Sequence, residues 1–216
     1  MTNKFIHEEV YRGGEAMAKL SEPLITICGA GALGSHLADN LARQGFCKLR
    51  VIDRDRVEEH NVNTQLYGIA DVGAWKTEVL RNQLFRSVEV EVEAVTKTFD
   101  DRNARKLLKD SDIVIDTFDN ADSRRLVQDH CRKSEIDCLH VGLYADYCEV
   151  IWDEAYRVPN DVGGDVCEYP LARNLVLFAV AIAAEAVVRF VLDGQRDNRS
   201  ATLKDFGVQM LETPIL

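Results

Sequence analysis

Ile25-Thr26-Ile27-Cys28-Gly29-Ala30-Gly31-Ala32-Leu33-Gly34 passes from an apolar run into three glycines and then into a helical pattern. The stretch reads as strand, tight turn and helix. Gly29 permits the turn, Gly31 lets a phosphate approach the backbone, and Gly34 lets helix and strand pack closely. A nucleotide is the expected occupant, and the glycines alone leave NAD, FAD, S-adenosylmethionine and ATP open.

Working outward, residues 5 to 20 carry Phe5, Val10, Met17 and Leu20 among polar neighbours, interrupted by Gly13-Gly14, which predicts a two-part leader helix. After the glycines, Leu33, Leu37 and Leu41 share one face of a helix over Ser35–Gln44 that stops at Gly45. Lys48–Asp53 is a second strand ending in a carboxylate, so this segment is a βαβ unit. Asp53 follows the glycine turn by about twenty residues, the spacing at which an acidic side chain accepts hydrogen bonds from a ribose diol.

Val57 to Tyr67 is polar and fits neither a clean helix nor a strand. Gly73-Ala74-Trp75-Lys76 then introduces a helix with Val79, Leu80 and Leu84 facing inward and a lysine in its first turn. A helix N-terminus favours anions, so a lysine there makes sense with a phosphate between the two, or as a surface residue. Val88–Val95 alternates valine, alanine and glutamate, predicting a half-buried strand near a sheet edge. A short helix is expected at Asp101–Leu108 and a buried strand at Asp112–Asp116.

Asp116-Thr117-Phe118-Asp119-Asn120 brings two carboxylates to a strand's C-terminal end, where open α/β sheets bind ligands. Asp119 can hold Mg²⁺ together with nucleotide phosphates, N-cap the helix Ala121–Arg132, or do both. Cys138–Leu143 and Cys148–Trp152 read as strands, Pro159–Pro170 as a long connection, Leu171–Leu192 as an apolar helix, and Ala201–Leu211 as a last strand. The fold expected is α/β, doubly wound and Rossmann-like, its mostly parallel sheet extended by C-terminal antiparallel strands and a late apolar helix. No internal repeat breaks the chain, so residues 1–216 are expected to form one domain, with a leader over 1–22, a nucleotide-binding core over 23–140 and an extension over 141–216.

Lys and Arg total 26 against 36 Asp and Glu, a formal charge of −10 that argues against nucleic-acid or anionic-membrane partners. The six cysteines include no Cys-x-x-Cys pair, so neither a zinc site nor a disulfide framework is expected, and a reducing, cytoplasmic setting fits. The N-terminal sequence lacks the apolar segment of a signal peptide. Leu175–Ala184, the most apolar stretch, is too short to span a bilayer and is expected as a buried helix.

Four blocks carry a resemblance to the ThiF/MoeB/HesA family, relatives of the adenylating domain of ubiquitin-activating E1 enzymes. They are Gly29–Gly34, Val51–Asp55 running into Asn61–Gln65, Gly73–Lys76, and Asp116–Asn120. The likeness spans about residues 5 to 195 and is weak beyond residue 140. It implies that the C-terminal glycine carboxylate of a ubiquitin-like or sulfur-carrier protein with a Gly-Gly tail attacks the α-phosphate of ATP, giving an acyl-adenylate and pyrophosphate. It further implies nucleotide contacts from Gly29, Gly31, Gly34, Asp53, Asp55, Asn61, Gln65, Lys76, Asp119 and Asn120. Within that set Asp53 would hold ribose, Asn61 and Lys76 phosphates, and Asp119 Mg²⁺. A homodimer follows from the same resemblance, and so does a thioester at Cys167, which lies in the loop where some relatives carry an acceptor cysteine.

The chain departs from that pattern at Thr64, where relatives have a phosphate-contacting arginine, and at Ile6 or His7, where relatives have an arginine that reaches a partner subunit. Arg12, Arg54, Arg56 or a partner chain would have to supply the missing charge. A zinc-free member is implied by the missing cysteine pairs. Two other classes compete: an NAD(P)-dependent oxidoreductase, which shares the glycines and Asp53, and a non-catalytic carrier-binding scaffold, which the lost arginines would suit.

Overall fold

The apolar runs at 24–28 and 113–116 lie side by side at the centre of one sheet in the computed structural model, which describes residues 3–159 and 170–211. Strands β1 (Leu24–Cys28), β2 (Lys48–Ile52), β3 (Val92–Val95), β4 (Ile113–Asp116) and β5 (Asp137–Tyr144) are parallel. Strands β6 (Tyr147–Trp152), β7 (Arg199–Thr202) and β8 (Gly207–Met210) continue antiparallel, in the order β3-β2-β1-β4-β5-β6-β7-β8. The fold is therefore the α/β, mostly parallel sheet with an antiparallel C-terminal extension that the sequence predicts.

Helices α1 (Ile6–Arg12), α2 (Gly14–Leu20), α3 (Ala32–Arg43), α4 (Lys76–Val88), α5 (Ala104–Leu107), α6 (Ala121–Ser134) and α7 (Arg173–Asp193) complete the described elements. Successive residues of a strand face opposite sides of the sheet, and the core divides accordingly. Ile25, Ile27, Ile113 and Ile115 pack with Leu37 and Leu41 of α3, Leu80 and Leu84 of α4, and Ala179 and Ala183 of α7. Cys28 and Val114 pack on the other side with Leu107 of α5 and Val127 and Cys131 of α6. Burying a leucine or isoleucine contributes about 1.5–3 kcal/mol each, so both layers clamp β1 and β4 and hold their C-terminal ends in place.

Gly13, at φ 88°, separates the two leader helices as expected. Two boundaries differ from the sequence reading, and one expectation about length is overturned. The alternating run 88–95 is not one strand: Val88 closes α4, Glu89 takes a left-handed φ of 53°, and pairing begins only at Val92. Val88 lies four residues after Leu84, so a helical face claims it before the period of two begins. The segment 201–211 holds the hairpin β7–β8 rather than one strand. At 21 residues, α7 exceeds the ten-residue apolar stretch and has the length and composition to cross a bilayer, yet Leu175, Val176, Ala179, Val180, Ala183, Ala184 and Val187 bury one side of it in the core.

Candidate functional site

The strand order reverses between β1 and β4, which opens a crevice at their C-terminal ends, the usual ligand position in such sheets. The glycine turn lies there. Gly29 sits at φ 101°, and a Cβ on Gly34 would fall 1.9 Å from the carbonyl oxygen of Gly29, so helix and turn pack against each other through backbone. A Cβ on Gly31 would meet nothing within 4 Å. No side chain caps α3 at Gly31, so its first N–H groups face an open approach suited to an anion.

Asp53 follows β2 and holds the turn. Its Oδ2 accepts from the Ala30 N–H at 2.6 Å and its Oδ1 from the Asp55 N–H at 2.7 Å. Burial pushes its carboxyl above the usual value, against the pull of Lys76 and of those two N–H groups. Each oxygen retains a lone pair, so hydroxyl donors such as those of a ribose remain acceptable. Tyr67, which the sequence reading did not single out, fastens the same turn: its hydroxyl donates to Ala30 O at 2.7 Å.

Lys76 is the first residue of α4 and only 7% exposed, with its ammonium 3.6 Å from Asp55 Oδ2. Its N–H donates to Asp55 O at 3.0 Å, tying the helix start to the end of β2. An ammonium so buried is costly unless partnered by negative charge, and Asp55 is half-exposed.

The polar stretch after β2 forms a 3₁₀ turn, Glu59–Asn61, closed by the Glu58 N–H donating to Asn61 Oδ1 at 2.9 Å. Asn61 can thus offer a ligand its amide N–H groups. Gln65 Oε1 is buried without a hydrogen-bond partner, an unmet polar group of the kind a ligand satisfies. The loop rests on α3, where the Leu66 N–H donates to Ser35 Oγ at 3.1 Å and His36 Nε2 lies 3.1 Å from Thr64 O.

Asp119 and Asn120 are exposed on the turn after β4. Asn120, not Asp119, N-caps α6: its Oδ1 accepts from the Ser123 N–H at 2.9 Å, while its Nδ2 donates to Asp119 Oδ1 at 3.2 Å. Asp119 is then free of the capping role. Asp116 does not emerge toward a ligand either; its side chain is wholly buried against Arg124 and His140.

His140, unremarked in the sequence, bridges Asp116 Oδ2 at 2.9 Å and Asp153 Oδ1 at 3.2 Å and stacks on Tyr156 at 3.8 Å. Burial lowers its pKa, but the hydrogen bonds and charges of Asp116 and Asp153 outweigh that and the net shift is upward. Arg124 spans Asp116, Tyr156 and Val141 O. This network underlies the turn that carries Asp119.

The arginines expected to replace lost charge are engaged elsewhere. Arg12 pairs with Glu8 at 2.7 Å and Glu185 at 2.8 Å within its own chain. Arg54 faces Asp55 at 3.7 Å, and Arg56 stacks on Trp75 at 3.7 Å while donating to Gly73 O. Arg173, at the start of α7, does reach the 61–65 loop, donating to Asn63 O at 3.2 Å. Nothing in the local sequence signals that contact. Cys167 lies outside the described residues, and among these no group of three or more His, Cys, Asp or Glu converges to hold a metal.

Comparison with known proteins agrees with this fold. Residues 5–160 match the ThiF family. A SAMP-activating enzyme E1 of Haloferax volcanii is 33% identical over 135 residues, 61% of this chain and 50% of the relative. The sulfur carrier protein ThiS adenylyltransferase of Bacillus subtilis is 31% identical over 156 residues, 68% of this chain and 46% of the relative. The chain thus spans half or less of the length of these relatives. Among solved structures, E. coli MccB with MccA-N7isoASN superposes with a TM-score of 0.84 at 18% identity, over 100% of this chain and 74% of that one. The same protein solved with ATP gives a TM-score of 0.80 at 19% identity, with the same coverage.

Proposed function

Because the chain belongs to the ThiF family, we propose that it is an ATP-dependent adenylyltransferase that activates the C-terminal carboxylate of a ubiquitin-like or sulfur-carrier protein ending in Gly-Gly. The observation that carries this reading is Lys76, a buried ammonium 3.6 Å from Asp55 Oδ2 just after β2. A dinucleotide pyrophosphate would also pair with that cation, and it is the family match that favours nucleotidyl over hydride transfer. Relatives named for carrier activation support the substrate class.

In this reaction the carboxylate oxygen forms a bond to the α-phosphorus, the bond from that phosphorus to the bridging oxygen breaks, and pyrophosphate leaves. Both reactants are anions, so positive charge and fixed N–H dipoles must offset their repulsion in the transition state. Asp53 accepts the ribose hydroxyls. Lys76, the Asn61 amide, Gln65 and the first N–H groups of α3 face the phosphates, and the open space at Gly31 lets them approach. Asp119, exposed and released from capping, would hold Mg²⁺ beside Asn120. The ion would supply charge neutralisation to the phosphates.

Carrier-dependent exchange of labelled pyrophosphate into ATP tests the proposal. Exchange requiring both the carrier and Mg²⁺ is expected. MgATP binding without exchange would favour the scaffold reading, and tight NAD⁺ binding without MgATP binding would favour an oxidoreductase. The proposal extends to a thioester at Cys167, formed when its thiolate attacks the acyl-adenylate carbonyl and AMP leaves, and read as a thiol-sensitive conjugate lost in Cys167→Ala. A homodimer belongs to it as well: Val10 and Tyr11, 78% and 81% exposed, stand beside Arg12, which pairs with Glu185 of α7, and sedimentation would read the assembly.

A further inference from the structure

Arg173 is separated from Asn63 by 110 residues of sequence, yet its guanidinium lies 3.2 Å from Asn63 O and 3.3 Å from His36 Nε2. Neither partner is an anion. Burial lowers the pKa of His36, and the Arg173 charge lowers it further, so the imidazole stays neutral. The same Nε2 also lies 3.1 Å from Thr64 O, and one ring nitrogen cannot donate to that carbonyl and accept from Arg173 at once. Among the described residues Arg173 has no carboxylate within ion-pair distance, unlike Arg12, Arg50 and Arg124. Its side chain is exposed, and among the described residues only one of its terminal nitrogens is engaged, which leaves the rest of a fork shaped for phosphate oxygens without a described partner.

The crevice itself is short of positive charge. Asp53, Asp55 and Asp119 stand at the strand ends there against Lys76 and Arg54, both of which already face Asp55. A nucleoside triphosphate would add further negative charge. The loop under Arg173 is the one that carries Asn61 and Gln65.

We propose that Arg173 is a substrate-binding residue that takes the phosphate tail of the nucleotide over the 61–65 loop, so that the start of α7 completes the site. This rests on the nucleotide reading above. Arg173 leaves its two neutral contacts for a bidentate, charge-assisted one, and His36 is then free to donate to Thr64 O, which holds the loop against α3.

Calorimetric titration of the wild type, Arg173→Gln and Arg173→Lys with MgATP and with AMP tests the assignment, with thermal melting as the folding control. Loss of a charged hydrogen bond predicts that Arg173→Gln weakens MgATP by about tenfold or more while leaving AMP within about twofold. Arg173→Lys, which keeps the charge without the fork, should fall between them. Equal weakening of MgATP and AMP, or no change in either, would overturn the role of Arg173 and leave nucleotide binding standing. A wild type that binds no MgATP would overturn the nucleotide reading and this assignment with it.

Discussion

Nδ1 of His140 lies 2.9 Å from Oδ2 of Asp116, and both side chains are wholly buried. With Asp153 Oδ1 3.2 Å from the other ring nitrogen, each nitrogen faces a carboxylate and the imidazolium form is favoured. The Asp116 carboxyl is correspondingly low: burial raises its pKa, but Arg124 and the His140 hydrogen bond outweigh it.

The pH dependence of stability follows from these directions. A raised His140 pKa contributes stability that is fully present below its unfolded value, about 6.5, and is lost as pH climbs through the folded value. The lowered Asp116 and Asp153 pKa values contribute stability present above about 3.9 and lost as pH falls through their folded values. Urea unfolding should therefore show greatest stability for this cluster between about pH 4 and 6.5. His140→Ala should cost roughly 1–3 kcal/mol at pH 6, because Asp116 loses one buried hydrogen-bond partner but keeps Arg124, and it should remove the decline on the alkaline side. An unchanged slope in that variant would show that His140 is not its source.

Two glycines of the turn should separate folding from binding. Gly34→Ala forces a methyl to within 1.9 Å of the Gly29 carbonyl oxygen and 2.8 Å of Thr117 Oγ1, and the former is backbone. Its cost is expected at about 3 kcal/mol or more, the upper end of overpacking, read as a lower melting temperature. Gly31→Ala adds a methyl to open space, so stability should hold within about 0.5 kcal/mol. Its MgATP affinity should drop by at least about tenfold, or 1.4 kcal/mol, because the methyl occupies the approach of the phosphates.

Asp119 and Asn120 are adjacent but should respond differently. Asn120→Ala removes the cap from α6 and should lower stability by about 1 kcal/mol. Asp119→Ala touches only the 3.2 Å contact with Asn120, so melting should be unchanged while the Mg²⁺-dependent part of ATP binding disappears. Calorimetry with and without Mg²⁺ reads the difference.

Lys76→Met should preserve the fold and abolish chemistry. The substitution removes a buried ammonium whose partner, Asp55, is half-exposed and can be hydrated, so no loss of stability is expected. Carrier-dependent pyrophosphate exchange should fall by about 10²–10³, the usual effect of deleting one preorganised charge from a transition-state site.

Local chemistry made the Rossmann core readable. The apolar run before Gly29, the Leu33–Leu37–Leu41 face and the strand ending at Asp53 each depend on neighbours a few residues away, and the observed β1–α3–β2 unit follows them closely. The run 88–95 was misleading because Val88 satisfies a helical spacing from Leu84 as well as a period of two, and packing of α4 on the sheet decided between them. Asp119 is the cap expected from sequence for α6, and the backbone path after β4 puts Asn120 in that place instead.

The sequence by itself thus determined the strand–turn–helix core, its family resemblance and the candidate set at Asp53, Asn61, Lys76 and Asp119. Only the tertiary structure decided that Asp116 is buried with His140, that Tyr67 holds the glycine turn, and that Arg12 and Arg56 are engaged while Arg173 reaches the 61–65 loop. The physical reason is range. Periodicity and turn chemistry record what a residue does with its neighbours along the chain, whereas these ion pairs and hydrogen bonds join residues 24 to 173 positions apart once the fold has brought their elements together.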